Sequence, residues 1–218
     1  MAETFTKTAE APHQHATGGV FGAKALGWET FELARNPYYN VLVISIFAPY
    51  FASQVVGDPT LGQTLVSAMI TLAGIIMAFV APVLGALIDK GGYRKPPTMM
   101  ALGVLCFVTA CLWFVTPATE TQSGAVVLGF MLMATGYVAY TIAELFHNAM
   151  LPASGSPKSL PMVSAVGLSM GNFAGILALL LISSFLISEN APDFGFDKSM
   201  AETIRITGPL VALWLAVF

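Results

Sequence analysis

The stretch that decides the fold is residues 59–88, PTLGQTLVSAMITLAGIIMAFVAPVLGALI, which contains no Asp, Glu, Lys or Arg. A helix needs about 20 mainly apolar residues to cross the hydrocarbon core of a membrane, so this stretch predicts a transmembrane helix. The other uncharged stretches that predict spans are residues 36–57, 96–119, 121–143, 159–188 and 206–218. The sequence therefore predicts an all-α membrane protein, built as a bundle of six transmembrane helices.

The composition agrees with this class and excludes others. Of the 218 residues, 56% are hydrophobic and 10% are charged, against about 25% charged in a typical soluble domain. Nine Lys and Arg against twelve Asp and Glu exclude the basic face of a nucleic-acid binder. The sequence has no phosphate-binding glycine loop, no nucleophile beside a base and no cluster of metal ligands. We therefore expect no catalytic site, no cofactor and no metal.

Loop charges predict the orientation of the chain. If the N-terminus is inside, the outer loops carry only Lys198 and Arg205. The seven inner cations are Lys7, Lys24, Arg35, Lys90, Arg94, Lys95 and Lys158. The positive-inside rule then predicts a cytoplasmic N-terminus, and a bacterial inner membrane is the default location because no organelle signal is visible.

The spans and loops also predict a domain organisation. Residues 1–22 are expected to be a disordered cytoplasmic tail, and residues 23–218 form the six-helix domain. Residues 23–35 predict an interfacial helix, with Trp28 and Tyr38 in the headgroup zone. The sixth predicted span stops at Phe218 in the middle of an apolar run, so we expect this span to be truncated and the chain to be part of something longer.

The loop between the second and third predicted spans carries a distinctive motif. Asp89 follows a helix at its C-terminal end, where the helix dipole disfavours an anion, so its carboxylate needs a partner. Gly85 permits close helix approach, Gly92 permits a tight turn, and Arg94 and Lys95 supply positive charge. Either this carboxylate accepts hydrogen bonds from the N-terminal N–H groups of a neighbouring helix, or the motif is a positively charged inner loop that stops the helix.

Glu144 lies in apolar surroundings near the inner end of the fourth predicted span. It shares one helix face with Tyr137 and Tyr140, and an ionisable group in a span usually faces a partner or a cavity. Three interpretations remain open: an ion pair with Arg94 or Lys95 that is structural or gating, a proton carrier or substrate contact, and an interfacial residue wetted by the cytoplasm.

The first predicted span offers a second candidate site. Glu32 and Arg35 are three residues apart on one helix face, which predicts an internal ion pair. Such a pair could also hold the ammonium and the carboxylate of an amino acid. Further candidates for a substrate pathway are the polar side chains of Asn36, Tyr50, Gln54 and Asn172. In the fifth predicted span, Gly167, Gly171 and Gly175 predict a face for close helix packing.

These motifs carry a family resemblance. The pattern Gly85…Asp89-Lys90-x-Gly92-x-Arg94-Lys95 resembles the loop motif of the major facilitator superfamily, with Tyr93 where that pattern often has Arg. Residues 28–38 and 46–51 resemble the first span of its vacuole-effluxer-like branch, which includes autophagy-related amino-acid efflux permeases. Residues 147–152 and 163–175 resemble the loop and the fifth span of the same branch.

The resemblance implies a function and a partner. It implies the N-terminal half of a twelve-helix secondary transporter in the lipid bilayer, which moves small polar solutes such as amino acids by alternating access, with proton coupling as an option. The partner would be the missing C-terminal six-helix half, and Asp89 and Arg94 would act in gating. The alternatives are a half-length accessory or scaffold subunit that does not transport, and a half-transporter that homodimerises.

Overall fold

The computed structural model describes residues 20–91, 95–118 and 123–218. Of these residues, 82% are helical, and the described part of the chain contains no β-strand. The α-helices are α1 (Ala23–Pro37), α2 (Phe47–Tyr50), α3 (Pro59–Gly91), α4 (Lys95–Cys111), α5 (Ser123–Met150), α6 (Leu160–Ile182), α7 (Glu202–Arg205) and α8 (Thr207–Val217). The predicted all-α class is confirmed, and the predicted tail lies outside the described residues apart from 20–22.

Four helices of the described chain are long and apolar enough to cross a membrane. Their spans are Pro59–Ala86, Lys95–Phe114, Gly124–Ala153 and Leu160–Ile187, which correspond to the second to fifth predicted spans. Together they indicate an integral membrane protein. The helix of the fourth predicted span extends beyond residue 143 to Met150, and it carries Glu144, as expected, together with His147.

The first predicted span is not one regular helix. Wide π-helical turns form Tyr38–Ser45 and Phe51–Val55, and the helix is interrupted between them at Ile46, with φ −121° and ψ −61°. Proline explains part of this irregularity, because Pro37 and Pro49 have no N–H to give to the carbonyl four residues earlier. Prolines and π-helical turns are both recognised causes of breaks and bends in helices.

The carbonyl that Pro37 leaves without a helical donor is bonded by another helix. That carbonyl belongs to Leu33, and the indole Nε1 of Trp214 in α8 donates to it at 3.1 Å. Helix α8 has 11 residues, fewer than a full crossing requires. The middle of the same helix lies against α4, since Cys106 Sγ donates to the carbonyl of Ala212 at 3.4 Å.

We expect Trp214→Phe to lower the free energy of unfolding by about 1 kcal/mol, because it leaves the partly buried carbonyl of Leu33 without a donor. In a Pro37→Ala background, the N–H gained at position 37 can bond the Leu33 carbonyl, so the loss should shrink. Denaturant titration in detergent micelles measures all four proteins of this cycle. Equal losses in both backgrounds would show that the indole bond does not compensate for the proline.

The N-terminal helix packs along α6, and the predicted glycine face is what it packs against. A Cβ added at Gly167 would lie 2.6 Å from Trp28 Cζ3, and one at Gly171 would lie 3.0 Å from the carbonyl oxygen of Glu32. A Cβ at Gly175 would collide with Asn40 Nδ2. Later residues of α6 contact later residues of the N-terminal segment, so α1 and α6 run parallel. The prediction of a face for close helix packing is confirmed.

This packing corrects the expectation for the N-terminal aromatic residues. Trp28 and Tyr38 are 7% and 3% exposed, so neither ring is half wet in a headgroup zone. Both rings contact neighbouring helices, because α1 lies against α6 and α5 and does not stand apart as a surface helix. The mixed polar and apolar pattern of residues 23–35 therefore reflects a helix that is buried on one side within the bundle.

Candidate functional site

Arg35 and Glu32 form a buried ion pair on α1, as their spacing predicts. Arg35 Nη2 donates to Glu32 Oε1 at 3.1 Å and to Oε2 at 2.9 Å. The two residues are 3% and 6% exposed. Residues three apart are neighbours on a helix surface, so α1 presents the pair to the other helices as one unit.

His147 of α5 joins this pair from the opposite side. Its Nε2 lies 3.3 Å from Glu32 Oε1, which is within ion-pair distance although the two groups are not aligned as a hydrogen bond. The imidazole is stacked between the rings of Trp28 and Phe31, with centroids 4.2 Å away on each side. Trp28 Nε1 also donates to the backbone carbonyl of His147 at 3.0 Å, so α1 holds this part of α5 through four contacts.

Glu144, one turn before His147, approaches the same guanidinium. Its Oε2 lies 3.5 Å from Arg35 Nη1, and its side chain is 40% exposed, compared with 4% for that of Arg35. The sequence predicted Arg94 or Lys95 as the partner of Glu144. Arg94 lies outside the described residues, and Lys95 is exposed at the start of α4. Among the described residues, the ion partner of Glu144 is Arg35.

Arg35 has donor capacity that the described residues do not use. Its Nε and Nη1 are buried and have no hydrogen-bond partner. The guanidinium lies over the ring of Tyr140, with Cζ 4.5 Å from the centroid, an attractive cation–π contact. The cation is therefore held by Glu32 and Tyr140, its Nη1 faces Glu144 without a hydrogen bond, and its Nε has no hydrogen-bond partner among the described residues.

Three further tyrosines stack on the ring that lies against the guanidinium. The ring of Tyr140 stacks with those of Tyr38, Tyr39 and Tyr137, at centroid separations of 5.3, 5.9 and 6.2 Å. Tyr39 and Tyr137 are half-buried, whereas Tyr38 and Tyr140 are buried. We call Glu32, Arg35, Glu144, His147 and these tyrosines the ionic–aromatic cluster.

The remaining predicted site residues divide into those near the cluster and those away from it. Asn36, one residue after Arg35, is buried, and its Oδ1 accepts a hydrogen bond from Asn40 Nδ2 at 2.6 Å. Tyr50 is buried elsewhere and donates to the carbonyl of Val115 at 2.7 Å, so its hydroxyl serves packing. Gln54 and Asn172 are exposed.

The predicted gating loop between the second and third predicted spans lies only partly within the described residues. Gly85 is described, and a Cβ added there would meet no atom within 4 Å, so no described residue makes the close approach expected at this glycine, and that expectation stays a prediction. Gly92 and Arg94 lie outside the described residues, as does the side chain of Asp89. The gating role of this loop stays a prediction.

Sequence reasoning missed His147, Trp28 and Phe31 as parts of the site. A signal was present, since Glu144 and His147 are three residues apart and so lie on one face of a helix. The resemblance of residues 147–152 to a loop obscured this signal, because the helix continues to Met150.

A second buried cation, Arg205, lies just beyond the C-terminal end of α4. Arg205 is 6% exposed, its Nε donates to the carbonyl of Trp113 at 2.7 Å, and its Nη1 donates to the carbonyl of Met200 at 3.2 Å. In the loop before it, Asp197 accepts hydrogen bonds from the hydroxyl and the backbone N–H of Ser199, which hold the pKa of Asp197 below its usual range. The guanidinium of Arg205 also lies over the ring of Trp113. Arg205 therefore holds the loop that contains Met200 against the end of the Lys95–Phe114 span.

Comparison of the chain with known protein families, with curated proteins and with solved structures finds no match. The ionic–aromatic cluster is therefore interpreted from its own chemistry. Ionisable groups inside apolar helix bundles are costly and commonly mark pathways for ions or solutes. Here one buried cation, two carboxylates and an imidazole meet where α5, a membrane-length helix, contacts the irregular N-terminal segment.

Proposed function

We propose that the chain is part of a secondary active transporter that moves small polar solutes, with amino acids as the class to test first. The observation that carries the proposal is Arg35, a buried cation whose Nε and Nη1 make no hydrogen bond among the described residues, with the half-exposed carboxylate of Glu144 3.5 Å from Nη1. A zwitterion needs both: the guanidinium can bind its carboxylate, and Glu144 can bind its ammonium. This pairing replaces the predicted pairing of Glu32 with Arg35, in which Glu32 already occupies Nη2.

The irregular N-terminal segment supports the same function. Transporters bind solutes beside discontinuous helices, because unwound backbone is tolerated in a membrane only where it is packed in protein or lines a cavity. The π-helical segment Tyr38–Ser45 and the break at Ile46 directly follow Arg35 along the chain. Tyr38 and Tyr39 belong to both the π-helical segment and the cluster.

The proposal includes the finer architecture that the sequence suggests. The chain would form the N-terminal six-helix half of a major-facilitator-type permease, in a bacterial inner membrane with its N-terminus in the cytoplasm. Its direction would be efflux. In this scheme the Arg35–Glu144 contact lies on the inner side, and the loop with Asp89 and Arg94 would gate that side.

Counterflow in proteoliposomes tests the proposal. Vesicles loaded with a mixture of unlabelled amino acids should accumulate a labelled amino acid when they contain the native protein. Arg35→Lys should reduce the initial rate by about tenfold or more, because Lys lacks the planar fork of donors that binds a carboxylate in bidentate fashion. Glu144→Gln should reduce it similarly, whereas Glu189→Gln, the same change at an exposed loop position, should not.

Absence of counterflow for every amino acid supplied would reject amino-acid transport. The intact mass of the protein from its native membrane then separates the remaining possibilities. A mass near 23.0 kDa would favour the accessory subunit or the homodimerising half-transporter. A mass near twice that value would favour a full-length transporter of another solute.

A further inference from the structure

Glu29 is a buried acidic residue that the ionic–aromatic cluster does not use. It lies on α1, one turn before Glu32, and none of its surface is exposed. Neither of its carboxyl oxygens has a hydrogen-bond partner among the described residues. A buried carboxyl group without a partner is rare in folded proteins, and each instance calls for an explanation.

The helix that covers Glu29 offers it no charge. A Cβ added at Gly167 of α6 would lie 3.4 Å from Glu29 Cα, so the two backbones are in close contact there. The whole of α6 (Leu160–Ile182) contains no Asp, Glu, His, Lys or Arg. Helix α8, which meets the C-terminal part of α1, contains none either.

The other charged groups near α1 are already paired or point to the surface. Arg35 pairs with Glu32 and Glu144, and the imidazole of His147 lies beside Glu32. None of these ion pairs includes Glu29. The lysines nearest in sequence to the two helices, Lys24 and Lys158, are both exposed.

This environment accepts the neutral acid and rejects the anion. Removal of an ionised carboxylate from water without a counter-charge costs several kcal/mol of free energy. Burial of the protonated group costs less, since it is only an unpaired polar group. Glu29 therefore keeps its proton while its side chain stays buried. Loss of that proton to water would create an anion that can be solvated only if α1 moves away from α6.

We propose that Glu29 is a proton-binding site whose occupancy controls the packing of α1 on α6. With the proton bound, α1 rests on the glycine face of α6. When the carboxylic O–H gives its proton to water, the carboxylate draws water into the contact and the helices separate. The assignment of this proton as the coupling ion rests on the proposed transport function, but the proton binding itself does not.

Distance measurements between spin labels test the proposal without any solute. The labels go on the native protein at Leu26→Cys of α1 and Leu168→Cys of α6, both exposed positions, after Cys106 and Cys111 are replaced by alanine. As the pH rises, the distance should shift from one short population to a longer one by several ångström. Glu29→Gln, a permanently neutral isostere, should keep the short population at every pH, and Glu189→Gln should behave like the parent protein.

Two results would overturn the proposal: a distance that is constant across the pH range in the parent protein, or a Glu29→Gln variant that still shows the parent's shift. If Glu29→Gln fails to accumulate in the membrane, Glu29→Met, which is apolar and of similar length, is measured instead and is expected to keep the short population. A pH-dependent shift together with absent counterflow would leave the proton site standing and reject amino-acid transport alone.

Discussion

Arg35→Gln is expected to lower the free energy of unfolding by about 3–5 kcal/mol, the usual cost of removing one partner of a buried ion pair. The loss follows from Glu32, which is 6% exposed and would keep its charge with no cation in contact. His147 cannot take over fully, since its Nε2 is 3.3 Å from the carboxylate and not aligned with it as a hydrogen bond. Titration with a denaturing detergent in mixed micelles gives the free energy.

The paired variant separates charge from packing. Arg35→Gln combined with Glu32→Gln removes both charges, and a double-mutant cycle should show that the second change recovers a large part of the loss. Lys158→Gln is the matched control, because it removes an exposed cation and should change stability by less than about 0.5 kcal/mol. A single variant as stable as the parent would show that the buried pair does not need its cation.

Gly62→Ala is expected to be the most disruptive of the conservative changes in α3. A Cβ at Gly62 would overlap the Cα of Ala52 and lie 2.6 Å from the carbonyl oxygen of Ala52. Both atoms belong to the backbone, so no side-chain rotation relieves the collision. Overpacking of this kind costs about 1–3 kcal/mol and sometimes more. The same detergent titration measures the loss.

Gly74 provides the control within the same helix. A Cβ at Gly74 would meet no atom within 4 Å, so Gly74→Ala should leave stability unchanged or raise it by up to about 1 kcal/mol through helix propensity. If Gly62→Ala and Gly74→Ala behave alike, the approach of α3 to Ala52 is not as close as the structure has it.

Patterns with a simple physical period were predictable from the sequence. The absence of charge over about 20 residues located four long helices because hydrocarbon excludes charge. Helical spacing also predicted the Glu32–Arg35 pair and the shared face of Tyr137, Tyr140 and Glu144. Of these, Glu32, Tyr140 and Glu144 contact the guanidinium of Arg35.

Features that depend on contacts between distant parts of the chain were not predictable. The choice of Arg35 as the partner of Glu144 follows from how α1 packs beside α5. The stacking of His147 between Trp28 and Phe31 depends on the same contact. Local sequence does not distinguish a π-helical turn from an α-helical one in an apolar run, so it does not predict the π-helical turns of the first span.

The burial of Glu29 was also invisible in the sequence. A Glu near the start of an amphipathic helix is ordinarily solvated, and the pattern of residues 23–35 predicts such a helix at the membrane interface. What buries Glu29 is the glycine face of α6, more than 130 positions later in the chain. Periodicity indicates which residues share a face, but it does not say which helix covers that face.

The most direct test of alternating access is side-specific labelling of Tyr137→Cys, a half-buried position of the cluster, in sealed membrane vesicles of both orientations. With Cys106 and Cys111 replaced by alanine, a membrane-impermeant maleimide should react from either side, and an added amino acid should change the ratio of the two rates. Phe79→Cys, 75% exposed on a span and facing lipid in this account, should react from neither side. If Tyr137→Cys reacts from one side only, at a rate that no amino acid changes, the cluster is not part of an alternating pathway.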